Sequence, residues 1–180
     1  MFDFEGTDHL TFARHVNGVS LDTLHFVKEL TIFDSLEFEV GNNPGEINKI
    51  IHTERAYYSY IDDSTGETFE VQIWANAPGG IIDAYMYFKC ADLFFVGHLG
   101  ETSFAIGDKQ SIGYQSKANL NGNTFKDVWN MFHVYGDLKV AIDGYNNGSK
   151  AGNSDLWYSP NDGPVGIKIN DKEFWYKIDY

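Results

Sequence analysis

The chain has 180 residues, 43% of them hydrophobic and 16% aromatic, enough apolar material for one well-cored domain and too much for a disordered chain. Its formal net charge is −13, from 26 carboxylates against 13 Lys and Arg. That field repels a phosphate backbone and disfavours anionic membrane surfaces, and no basic stripe offsets it, so nucleic acid is excluded as a partner.

The chain starts Met1-Phe2-Asp3-Phe4-Glu5, without the basic start and apolar stretch of a signal peptide. No apolar run is long enough to span a bilayer. These features fit a cytoplasmic protein or the mature part of an exported one. Aromatic and β-branched side chains fit pleated surfaces, which favours sheet over helix throughout.

Leu10 to Val16 and Leu36 to Val40 read as strands. Between them, Ser20 to Leu30 reads either as a short helix capped by Ser20 or as a strand running on to Phe33. The turn formers Asp62-Asp63-Ser64-Thr65-Gly66-Glu67 separate two aromatic-rich runs, which predicts a hairpin with a four-residue loop. In that register Tyr60 faces Phe69, Tyr58 faces Val71 and Ala56 faces Ile73, while Arg55 comes beside Trp74 in reach of a cation–π contact. Asn76 to Gly80 breaks the chain before a run in which Ile82, Ala84, Met86, Phe88 and Cys90 alternate with polar or tyrosine positions.

Further strands are expected at Leu93 to Val96, Ser103 to Ile106, Ser111 to Tyr114, Phe125 to Val134, Lys139 to Ile142 and Asp155 to Tyr158. At the end, alternation around Asn170-Asp171 predicts a hairpin with a two-residue turn. Ile167 then faces Phe174, and Val165 faces Tyr176, on the core side, with Trp175 covering Gly166 on the other. Short strands at this spacing, with no linker or repeat, predict one all-β domain over 1–180: an antiparallel meander forming a sandwich or barrel-like sheet.

Catalytic signatures are missing from the sequence. There is no Gly-x-Ser-x-Gly elbow, no phosphate-binding glycine loop and no His/Cys ligand spacing. The single cysteine, Cys90, closes the apolar face of its strand and reads as a buried thiol, with no disulfide to form. His52 and Glu54 share a strand face, read as a structural pair. Glu37 with Glu39, and Asp62 with Asp63, are carboxylate pairs of the kind a glycosidase needs, but in a chain this acidic they read as solvated surface.

Two groups remain as candidate sites. Asp143, Asn147, Asn153 and Asp155 lie in a polar loop whose oxygen ligands suit Ca²⁺, although the loop fails the EF-hand pattern at Tyr145 and Ser154. Trp74, Tyr85 and Tyr87 occupy the polar-alternating sides of their strands. If a one-residue shift at Gly79-Gly80 aligns those faces, the three rings form an exposed patch for stacking on sugars or docking a protein; otherwise a second layer buries them.

The run Gly122-Asn123-Thr124-Phe125-Lys126-Asp127-Val128, followed later by Trp157-Tyr158-Ser159-Pro160-Asn161-Asp162-Gly163-Pro164-Val165-Gly166, resembles the end of β-rich exported proteins and lipoproteins of the Bacteroidota-type cell envelope. The resemblance covers the C-terminal third, and its motifs are turns and strands. It implies export and a secreted or envelope role and brings no catalytic residues. The leading expectation is a non-enzymatic binding domain for a glycan, an apolar small molecule or a protein. The alternatives are a carbohydrate-acting hydrolase with paired carboxylates and a structural component of the envelope.

Overall fold

The computed structural model describes residues 3–40, 49–75, 84–98, 106, 109, 113–134 and 153–178. Within them lie eleven strands: β1 (His9–Val16), β2 (Val19–Val40), β3 (Lys49–Ile61), β4 (Thr68–Ala75), β5 (Tyr85–Cys90), β6 (Leu93–His98), β7 (Tyr114–Leu120), β8 (Asn123–Val134), β9 (Asp155–Ser159), β10 (Gly163–Lys168) and β11 (Glu173–Lys177). They form one antiparallel sheet in the order β6-β5-β4-β3-β2-β1-β11-β10-β9-β8-β7. No described residue is helical, and no helix is long and apolar enough to cross a membrane.

The sheet curls until its two ends meet. On β8, Trp129 lies between Tyr114 of β7 and Tyr158 of β9, and Phe132 lies between Val96 of β6 and Asp155 of β9. β7 and then β6 therefore follow one another along the same edge of β8, and the sheet is barrel-like, as its strand pattern predicts.

Tight turns set the meander. Asn17 and Gly18 have φ of 53° and 77°, the left-handed pair that a two-residue hairpin requires, and Asn121-Gly122 repeats it at 48° and 87°. The Asn17-Gly18 turn decides the ambiguous stretch after it. It sends the chain back along β1 with Leu24 opposite Phe12 and Phe26 opposite Leu10. Ser20 to Leu30 is consequently part of β2 and not a helix, because both apolar residues are buried only with the two-residue period of a strand.

The β3–β4 hairpin has the expected register. Tyr60 pairs with Phe69, Tyr58 with Val71, Ala56 with Ile73 and Arg55 with Trp74. The terminal hairpin differs from expectation by one residue. Ile167 faces Trp175, Lys168 faces Phe174, and Gly166 faces Tyr176. The turn is longer because the Asn170 side-chain oxygen accepts hydrogen bonds from both the Lys172 and Glu173 amides (2.8 and 3.0 Å). A one-residue slip exchanges the two faces. Trp175 thus enters the core, while Phe174 and Tyr176 stack outside with their planes 5° apart. Strand β7 was not anticipated, since its Tyr-Gln-Ser-Lys-Ala-Asn-Leu sequence hardly alternates; the strands expected at 103–106 and 139–142 lie almost wholly outside the described residues.

The interior is aromatic. Phe12, Phe26, Phe69, Phe88, Tyr158 and Trp175 are fully buried, and their neighbouring rings lie 5.8–6.1 Å apart across β1, β2, β4, β5, β9 and β11. Phe4 reaches in from the N-terminal segment and packs on Tyr58 and Phe88, while the Tyr60 hydroxyl stands 3.2 and 3.1 Å from the Phe4 and Thr7 carbonyls. A smaller cluster of Ala118, Phe125, Val128 and Val165 forms where β7 and β8 pass beyond the main core. Asp127, at φ 49°, breaks the alternation of β8, so that Val128 joins this cluster and Trp129 the main core.

Phe69 touches the rings of Phe12, Phe26, Tyr60 and Phe88. Replacing it with Ala should cost about 3–5 kcal/mol in urea unfolding. Phe33→Ala, at a ring 61% exposed, should change the midpoint little.

Candidate functional site

A concavity lies between β2, β3 and β4. It is lined by Phe33, Asp34, Ser35, Glu54, Arg55, Ala56, Ile73 and Ala75 and has a volume of about 580 Å³. Small-molecule sites occupy roughly the same range, 300–1,000 Å³.

A β-bulge positions its most exposed ring. The β2–β3 register shifts between Lys28 and Leu30, which inserts Glu29 as an extra residue. Phe26 and Lys28 are on the inner side before the bulge; after it, Thr31 and Phe33 pair with Tyr58 and Ala56 and take over that side. Phe33 therefore turns toward the sheet's interior yet remains 61% exposed, with its ring edge-on to Tyr58 at 6.1 Å between centroids. Small side chains at Ala56 and Ala75 leave the hollow, and Ile73 and Ala56 pack against the core at its base.

One rim of the cleft is held by charge. Arg55 donates from Nε to Asp34 Oδ1 at 2.9 Å and from a terminal nitrogen to Oδ2 at 2.6 Å, a two-pronged pair. Its guanidinium also lies over the Tyr57 and Trp74 rings, at 5.6 and 5.4 Å from their centroids. The hydrogen bond from Arg55 holds the Asp34 carboxyl below its ordinary range. Glu54, an exposed carboxylate, also lines the cleft.

Trp74, Tyr85 and Tyr87 are brought onto one sheet face, with Trp74 opposite Tyr85 and Gln72 opposite Tyr87. Of the two outcomes the sequence leaves open for them, an exposed patch or burial, the described structure has burial. They are 3%, 4% and 3% exposed; Arg55 lies over Trp74, Phe94 packs on Tyr87 at 5.5 Å, and Trp74 donates its indole N–H to Gln72 at 3.1 Å.

Of the four candidate Ca²⁺ ligands, Asp143 and Asn147 lie outside the described residues. Asn153 donates to Asp171 at 3.2 Å, and the buried Asp155 accepts from Asn130 at 3.2 Å. Among the described residues, no group of three or more His, Cys, Asp or Glu is arranged to hold a metal ion. His52 and Glu54 are exposed neighbours on one face of β3, and Glu37 stands opposite His52 in the β2 register. Cys90 is buried, which pushes its thiol far upward and away from reactivity.

The carboxyls displaced from their ordinary range in the described structure are Asp34, Asp62, Asp127 and Asp171, and all four are displaced downward. Asp62 has a structural role. Burial pushes it up, but hydrogen bonds from Ser64 Oγ, the His25 amide and both groups of Thr65 outweigh this and bring it down to about 2. It anchors the β3–β4 loop to β2. Sequence reading placed Asp62 in the turn, but nothing in it distinguished this carboxylate from the exposed Asp63 beside it.

Compared with models of known protein families, with curated protein sequences and with solved structures, the chain matches none.

The folded state favours ionised Asp62, so its contribution should be complete above about pH 4 and fade as pH falls toward 2. Asp62→Ala should therefore lose on the order of 2 kcal/mol at neutral pH. The difference from wild type should shrink toward pH 2 in urea titrations.

Proposed function

We propose that this is a non-enzymatic binding domain, secreted or at the cell envelope, whose site is the cleft between β2, β3 and β4 and whose ligand presents an apolar group. The observation that carries this reading is Phe33. A large ring turned to the inner side of a curled sheet and left mostly in water above Ala56, Ile73 and Ala75 gains from being covered. The burial of Trp74, Tyr85 and Tyr87 weighs against a sugar-stacking face. Asp34, held ionised by its pair with Arg55, cannot itself be the acid of a paired-carboxylate hydrolase. The secreted or envelope setting rests on the likeness of the Trp157–Gly166 turn region to exported β-rich proteins.

The test is titration with an apolar fluorescent probe such as anilinonaphthalene sulfonate. Saturable binding at about one site should raise the melting temperature with probe concentration. Ala75→Trp, which fills the hollow, should abolish it, and Phe33→Ala should weaken it several-fold, with unfolding midpoints near wild type. Equal binding to Ala75→Trp would place the probe elsewhere and sink the reading.

A further inference from the structure

Besides the Phe33 ring, the cleft holds an unpaired charge. Past its bulge β2 pairs Phe33 with Ala56 and Ser35 with Glu54, and Glu54 in turn pairs with Ala75 of β4. Tyr58 belongs to the core and Ala56 packs against it, so Glu54, the next residue of the same parity on β3, also takes the inner side. It is exposed and lines the cleft, and no side chain among the described residues pairs with its carboxylate. Asp34 and Arg55, the other charged residues of the lining, take the alternate parity and close on each other at 2.9 and 2.6 Å. The lining is therefore left with one net negative charge, on Glu54.

Phe33 supplies the other half of a cation site. A ring face in water attracts a positive charge, and the pull grows as water leaves. Phe33 and Glu54 are diagonal neighbours across β2 and β3, a spacing of about 7–8 Å that a single ammonium can bridge. The exposed Ser35, opposite Glu54, offers a hydroxyl oxygen as a further acceptor. β1 accompanies β2 only as far as Val27, and among the described residues no strand pairs with β2 past it on that side, so the approach beside Phe33 is open. A neutral ligand covering Glu54 would strip water from its carboxylate and give nothing back. The net charge of −13 draws cations to the surface and holds anions off.

We infer that the cleft selects a small apolar amine, a molecule with one positively charged nitrogen on an aromatic or aliphatic body. The ammonium lies between the Glu54 carboxylate and the Phe33 face, and the body covers Ala56, Ile73 and Ala75. This rests on the cleft being a binding site and adds the charge of its ligand. A volume of about 580 Å³ suits one such molecule.

The probes are naphthylmethylamine, naphthylmethanol and naphthoic acid, which share a ring and are cationic, neutral and anionic at neutral pH. Isothermal titration should rank the amine first and the acid last. At low salt the amine should bind roughly tenfold tighter than the alcohol, with the ratio falling as salt is raised. Glu54→Gln should bring the amine to within about twofold of the alcohol and should tighten the anionic anilinonaphthalene sulfonate. Loss of a charge moves the two probes in opposite directions, whereas loss of folding weakens both. Glu54→Asp, which keeps the charge, should keep most of the preference.

Equal affinity for amine and alcohol, or a preference for the amine that survives Glu54→Gln, overturns the inference. So does an amine that binds Ala75→Trp as tightly as wild type, since its site is then elsewhere. If anilinonaphthalene sulfonate fills the cleft and the amine has no advantage over the alcohol, the cleft stands as an apolar site and the charge selection falls. If neither binds, both fall.

Discussion

The aromatic interior is what the rest of the structure depends on. A sheet that curls until β6 reaches β8 encloses a volume that must be filled, and rings fill it with few rotatable bonds per unit of buried area. Phe69 holds the centre, against Phe12 and Phe26 on one side and Tyr60 and Phe88 on the other. Tyr158 and Trp175 carry the contact to the strands beyond. The cleft exists where this filling stops. Past Tyr58 the inner side of β3 continues with Ala56, and that of β4 ends with Ala75, too small to meet across the gap.

Much of this was legible in the sequence, for a physical reason. Between Tyr58 and Ile73 the inward residues are large, the outward ones other than Ile61 are polar, and a cluster of turn formers fixes the loop, so one register satisfies the pattern. The terminal hairpin misled because two registers satisfy the same pattern. Phe174, Trp175 and Tyr176 are consecutive rings, so either parity buries an aromatic, and the choice fell to a side-chain hydrogen bond inside the turn. Alternation carries no information where every position is apolar.

The site was much less legible than the fold. Trp74, Tyr85 and Tyr87 have the alternation of exposed residues but are covered by neighbours on their own face, and periodicity reports which side a residue takes, not what lies over that side. Phe33 was invisible for the reverse reason. Its parity depends on the bulge at Glu29, and an inserted residue leaves no mark in a pattern of alternating residues. The long run of β2 past its partner β1 was equally hidden, since the sequence of a strand does not say where its neighbour ends.

The pairing of β1 with β11 has a kinetic side. His15 lies opposite Phe174, and Arg14 opposite Trp175, so the first and last strands of the sheet are neighbours. Each hairpin of the meander can form from local contacts, but this seam has to close nearly the whole chain into one loop. During synthesis the hairpins emerge in order, and Phe26 meets Trp175 only once β11 has been made. The half-curled sheet thus stands open with its ring-lined face in water until β11 arrives. A transiently open apolar face is the kind of surface that aggregates, and shortening that interval is how a chaperone or a circular permutation joining β11 to β1 would act.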